Sequence, residues 1–254
     1  MIAPSHLSKG GAFLTDLSIN KARGFHFYKN LLNGVMEQHD APLDAPQDPP
    51  RTMPRDDRRA QLIEATIKVI AKMGYARTTM SDVARTAGLS HGLVNFHFQS
   101  KENLLLETLL FLSAEYHANW QAAVAEAGAN PQDQLLALLM ADFHPAICTP
   151  DRLSAWSAFW GEAASRPIYQ DRCGSFDAAY NAFIETLCVQ MNNELGLNSD
   201  PIRVSRILRV TIQGVWLDLM TLPNAYSMSE ARATVITAAN AFFSNVFRNI
   251  DFEA

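Results

Sequence analysis

The chain has 254 residues, 48% of them hydrophobic, which allows one large or two small domains with a sizeable core. It lacks a run of 18 apolar residues and any basic-then-apolar leader, so no membrane span or secretory signal is expected. The net charge of −5 hides an asymmetry: residues 51–101 carry 9 Lys and Arg against 4 Asp and Glu, and residues 102–254 carry 8 against 17.

Residues 1–54 read as a disordered extension and linker. The stretch from Asp40 to Pro54 holds five prolines, which remove backbone donors and favour extended chain. The preceding GFHFYKNLLNGVMEQ could form a short helix, or the true start could lie downstream at Met36 or Met53.

Residues 55–100 read as a domain of three short helices. The first spans about 57–73, with Leu62, Ile63, Ile67, Val69, Ile70 and Met73 at helical spacing and Gly74 at its end. The second follows Thr79, a good N-cap, and runs to Ala87. Gly88 and Leu89 make a tight turn, and Ser90 caps a third helix from His91 to about His97. Val83, Ala84 and Val94 are small or apolar where the last two helices cross. Two helices joined by so short a turn form a helix-turn-helix, whose second helix fits a DNA major groove. The basic balance of this segment suits a polyanion, although clustering of solvated charges by chance would look the same.

The stretch from Arg58 to Leu105 resembles the DNA-binding domain of TetR-type repressors. The matching elements are GYARTTM, Asp82-Val83-Ala84, Ala87-Gly88-Leu89-Ser90, Gly92, His97-Phe98, Ser100-Lys101-Glu102 and Leu104. Asn95 departs from the pattern, since most members have tyrosine there. The resemblance implies that Thr78, Thr79, Ser90 and Lys101 meet phosphates. Helix N-termini with free N–H groups and hydroxyls suit anions, and Thr79 and Ser90 also serve simply as caps. His91, Leu93, Asn95 and Phe96 are the candidates for base edges. Gly92 and His97 complete the expected DNA-binding set.

Residues 101–254 read as a helical ligand-binding and dimerisation domain, making the whole fold all-α. A long helix from Ser100 to about Ala127 begins with LLLETLLFL, apolar on every side and therefore buried on all sides. Further helices are expected near 131–144, 151–164, 168–195, 201–221 and 228–249, punctuated by prolines. Cys148, Cys173 and Cys188 have no metal-ligand spacing. Their odd number argues against a disulfide framework, and a reducing cytoplasm fits best. LSAWSAFWGEAASRP places Trp156, Phe159 and Trp160 at i, i+3 and i+4, three aromatics on one helix face. Phe143, Tyr180, Trp216, Tyr116 and Trp120 are expected on neighbouring helices. Such aromatics are either plain core or a cage for a quaternary ammonium ion.

The last two helices carry two apolar stripes each. The second stripes include Ile207, Val210, Gly214 and Leu217 on one helix, and Ile236, Phe243 and Phe247 on the other. Burial of both stripes within one chain is possible; a second copy is the simpler partner. A C2 homodimer with Gly214, Leu217, Phe243 and Phe247 at its interface is expected.

AWSAFWGEAASRPIYQ and IQGVWLDLM are similar to the C-terminal domain of the BetI branch of the family, which includes repressors of choline-to-glycine-betaine genes. That resemblance implies choline, betaine aldehyde or a related cation as effector. Asp142, Glu162 and Asp218 are candidates for an acidic partner. No P-loop, dinucleotide fingerprint, HExxH or G-x-S-x-G occurs, so no enzyme, catalytic residue, metal or cofactor is expected. The expected function is a ligand-released dimeric repressor on palindromic double-stranded DNA. A TetR-type regulator of another pathway is the alternative.

Overall fold

The computed structural model describes residues 54–163, 167–244 and 246–247. The chain divides into two compact units, Met1–Ala60 and Gln61–Ala254. Of the first, only 54–60 are described, so the expected extension over 1–54, Pro54 apart, lies outside the described residues.

The described residues form nine helices: α1 (Arg55–Met73), α2 (Met80–Ala87), α3 (His91–Phe98), α4 (Lys101–Glu126), α5 (Pro131–Ala141), α6 (Pro150–Ala163), α7 (Pro167–Glu194), α8 (Pro201–Thr221) and α9 (Met228–Phe242). None is long and apolar enough to cross a membrane.

Capping sets the short elements. The Thr79 hydroxyl accepts from Asp82 N–H at 3.1 Å and Ser90 accepts from Leu93 N–H at 3.2 Å, each satisfying an otherwise orphaned helix donor. Gly88 ends α2 at φ 68, and its N–H and that of Leu89 return to the last α2 carbonyls. A side chain there would be strained, which explains the glycine between these helices. Val83, Ala84 and Val94 are at most 4% exposed where α2 meets α3. Within the second unit, the Gln61 side chain donates to the Ala87 carbonyl at 3.0 Å and ties α1 to the end of α2.

Helix α4 is the spine of the second unit. It packs on α5 and α7, and α7 packs on α8. Leu104, Leu105, Leu109, Phe111 and Leu112 are buried on successive faces of its first turns.

Two helices end earlier than the periodicity predicts. α5 stops at Ala141, and Asp142 opens a turn whose N–H groups return to Met140 and Ala141 carbonyls. α9 stops at Phe242, where Ser244 takes a positive φ of 55 and the Asn240 side chain accepts from Phe247 N–H at 2.9 Å. The changed end of α9 corrects the expected interface: Phe243 and Phe247 are 0% and 3% exposed, buried within the chain rather than displayed as an outer stripe. The α8 stripe does face outward, with Val210 53%, Leu217 52% and Ile207 36% exposed.

Candidate functional site

Two sites emerge, the α2–α3 surface and a cavity among α4, α6, α7 and α8.

On the first, Thr79, Ser90, His91, Gly92, Asn95 and Phe96 are exposed, and Leu93 is half-buried. Phe96 stands 64% in solvent, unusual for a side chain of that size. His91 and Gly92 lie in the first turn of α3, where backbone donors have no partner within the helix. A Cβ at Gly92 would meet only Ser90 Oγ at 4.0 Å, so packing does not demand glycine there. Lys101 donates to the Ala76 carbonyl at 2.7 Å from an exposed position, which leaves its other protons available.

Two expected DNA contacts are corrected. Thr78 is 0% exposed, and its hydroxyl donates to the Gly74 carbonyl at 2.9 Å, so that side chain cannot reach a phosphate. His97 is 7% exposed because it shares an inward stripe, i and i+3, with Val94.

The cavity encloses about 160 Å³. Its inner wall is aromatic: Trp156 and Trp160 from α6, Tyr116 from α4, Tyr180 from α7 and Trp216 from α8. Tyr116 sits edge-on to Trp156 and Trp216, with ring centres at 6.4 and 6.1 Å. Trp160 and Trp216 lie nearly parallel, 12° apart, with centres at 6.2 Å.

Asp142 completes this wall. Its carboxylate accepts from the Tyr116 hydroxyl at 2.5 Å and the Tyr180 hydroxyl at 2.9 Å, while its carbonyl accepts from the Trp216 indole at 3.2 Å. Asn119 donates to the neighbouring Ala141 carbonyl at 2.9 Å, fixing the turn from α4. Burial pushes the Asp142 carboxyl up to about 7 from an ordinary 3.8, although both tyrosine hydrogen bonds oppose that rise. Burial and the facing carboxylate push both tyrosines well above 10.0, so they remain donors.

Of the six expected ligand residues, the structure brings four together: Trp156, Trp160, Tyr180 and Trp216. Phe159 and Phe143 are corrected to core. Phe159, 2% exposed, points away from the cavity and meets Tyr75 edge-on at 5.6 Å. Trp156 and Trp160 form an i, i+4 pair, and an i+3 residue falls on the other side of that stripe. Phe143 is 1% exposed and does not line the cavity. Among the acidic candidates Asp142 lines it, whereas Asp218 accepts from Tyr226 at 3.2 Å elsewhere and Glu162 does not line it. Asp177, Asn181, Arg209, Ile212 and Gln213 also line the cavity and were not anticipated. Their signal was the i, i+3, i+4, i+7 spacing of Arg209, Ile212, Gln213 and Trp216 on α8.

A charged cluster links α4 and α6, beside the cavity, to α1. The Arg152 guanidinium, on α6 one turn before Trp156, donates to both Glu115 oxygens at 2.8 Å and to Glu64 of α1 at 2.8 Å. Glu115 immediately precedes Tyr116 on α4. Burial raises its carboxyl, and Arg152 acts against that rise.

Residues 62–108 match the family described as bacterial regulatory proteins, tetR family. Residues 131–244 match the C-terminal domain of the BetI-type transcriptional repressors. The chain is 38% identical to the HTH-type transcriptional regulator BetI of Rhizobium meliloti, over 42% of this chain and 52% of that protein. It is 32% identical to the BetI of Paraburkholderia xenovorans, over 49% of this chain and 70% of that one. The chain thus spans about half the length of the Rhizobium relative. The fold is also that of a Saccharomonospora viridis protein solved in complex with choline, with TM-score 0.60, 22% identity, and coverage of 71% of this chain and 94% of that chain. The chain belongs to the TetR family of bacterial regulatory proteins, in its BetI-type branch.

Proposed function

We propose that this protein is a cytoplasmic, homodimeric repressor that binds a palindromic operator through α3 and releases it when a small quaternary ammonium ion such as choline enters the cavity. The observation that carries the ligand class is the aromatic wall closed by the Asp142 carboxylate. Ring faces attract a desolvated cation by about 2 kcal/mol per good contact, and a buried carboxylate supplies the countercharge. A volume of about 150 Å³ admits a benzene-sized molecule, the size class of a trimethylammonium group with a short tail. The bound choline of the Saccharomonospora viridis structure agrees with this reading. Calorimetry with choline and with an isostere carrying carbon in place of nitrogen tests it. Choline binds and the isostere does not, whereas equal binding of both removes the cation from the account.

On DNA, His91, Asn95, Phe96 and the half-buried Leu93 face base edges, Phe96 being suited to a thymine methyl group. Thr79, Ser90, Lys101 and the α3 N-terminus meet phosphates, and Gly92 admits the DNA backbone closely. Lys101→Ala is expected to weaken binding to all sequences alike and to flatten the slope of log affinity against log salt by about one unit. An unchanged slope argues against the contact.

The exposed stripe of Ile207, Val210 and Leu217, open at Gly214, supports a dimer face on α8. Leu217→Glu is expected to give folded monomers in sedimentation that lose operator binding, because a charge cannot be buried unpaired at the interface. Phe243→Glu is expected to unfold the chain instead, as Phe243 lies in its own core. A folded Leu217→Glu dimer moves the interface elsewhere.

Release follows from a coupling between sites. A ligand shifts DNA affinity only by its difference in affinity for the two domain arrangements. Helix α6 carries Trp156 and Trp160 at the cavity, Arg152 against Glu64 of α1 and Phe159 against Tyr75 in the turn between α1 and α2, so ligand seated on its rings biases those contacts.

A further inference from the structure

The cavity has a second, polar wall that a simple cation leaves unused. Asp177 and Asn181 line it from α7, and Arg209 and Gln213 from α8, each pair at i, i+4 spacing. Along α8, Gln213 lies about 4.5 Å and Arg209 about 10.5 Å from the level of Trp216 at 1.5 Å per residue. Trp216 holds the Asp142 turn, so the polar wall extends away from the aromatic end. Arg209 is half-buried. Burial raises the Asp177 carboxyl and the Arg209 charge acts against that rise, yet among the described residues no carboxylate forms a salt bridge with its guanidinium.

The arginine in the wall opposes a simple cation in the same cavity, and Asp177, which lines the cavity without a salt bridge to it, offsets that charge only in part. The arrangement makes sense when the ligand brings its own anion. Resting on the cation reading above, we infer that the effector is a small zwitterion: a quaternary ammonium head held by the aromatic wall, with a carboxylate a few bonds away held by Arg209. The guanidinium fork matches a carboxylate in two parallel hydrogen bonds, and the Asn181 and Gln213 amides are additional donors beside it. Arg209 is then the residue that sets ligand specificity, and the aromatic wall alone sets head-group affinity.

Calorimetry on the full-length protein separates these roles, with tetramethylammonium, choline and glycine betaine as probes. Glycine betaine is expected to bind about ten- to a hundredfold tighter than choline, the range of hydrogen bonds to charged groups. Arg209→Gln is expected to erase that preference, leaving tetramethylammonium bound as before or better. Arg209→Lys, which keeps charge but loses the fork, is expected to recover only part. Asp177→Asn is expected to strengthen glycine betaine binding, since it removes a carboxylate that repels the ligand's own. Choline binding as tightly as glycine betaine to the wild type, or a preference that survives Arg209→Gln, overturns the inference and leaves the cation reading standing. Absence of binding by all three probes overturns the cation reading itself.

Discussion

Arg152→Gln is expected to abolish release of DNA by ligand while both DNA binding and ligand binding persist. Arg152 bridges Glu115, beside the cavity residue Tyr116, and Glu64 of the DNA-binding helices, with three contacts of 2.8 Å. Its side chain is 16% exposed and that of Glu115 11%, so the pair is largely out of water. Couplings between ligand sites typically amount to about 5- to 150-fold in affinity, and the variant should bring this ratio close to one. Breaking a buried pair by removing one partner costs about 3–5 kcal/mol, and less here because Glu64 is 39% exposed. A lowered melting temperature is therefore also expected. Arg152→Gln combined with Glu115→Gln should recover stability, since no unpaired buried charge remains, without recovering release. Operator anisotropy with and without ligand measures the ratio directly. Undiminished release in the variant would assign the coupling to the Phe159–Tyr75 contact or another path.

Asp142→Asn is expected to weaken binding of a quaternary ammonium ion by about a hundredfold or more, because the amide removes the carboxylate held against the aromatic rings and unpaired buried charge is strongly disfavoured. The pH dependence gives a sharper signature. The empty site holds a carboxyl raised to about 7, and the cation binds its ionised form. Proton and ligand compete, so affinity is constant above about pH 7 and falls up to tenfold per unit below it. In the Asn variant the residual affinity should not change with pH over that range. Stability has the opposite sign. The folded chain retains a proton that the unfolded chain loses near the ordinary 3.8, so this contribution is present at low pH and is lost as pH rises through about 7. Asp142→Asn should flatten that slope in thermal melts, and ligand affinity that ignores pH in the wild type would exclude Asp142 as the countercharge.

The helix-turn-helix was legible in the sequence because its determinants are local. Thr79, Gly88 and Ser90 each fix a helix end through bonds within a few residues. What that reading missed was side-chain direction: Thr78 turns back to Gly74, and His97 follows Val94 into the core. The cavity was only half legible. Trp156 and Trp160 announce a shared face, yet Phe159 between them faces the other way, toward Tyr75. Nothing local distinguishes Asp142 from Glu162 or Asp218. The choice is made by Tyr116 and Tyr180, which lie 26 and 38 residues away. The α9 stripe failed because Ile236 is already buried within the chain and because the helix ends at Phe242, before Phe247, neither of which a periodic pattern reveals.

In the proposed mechanism the aromatic cavity controls the grip on DNA. The most direct test is a titration of choline or glycine betaine into the full-length protein bound to fluorescent operator, the operator being selected from random duplexes by the purified protein. The expected result is release with a midpoint that tracks the calorimetric affinity, and no release from Trp160→Ala, which still binds the operator. Ligand that binds the cavity while the DNA stays bound, or release that persists in Trp160→Ala, would contradict the account.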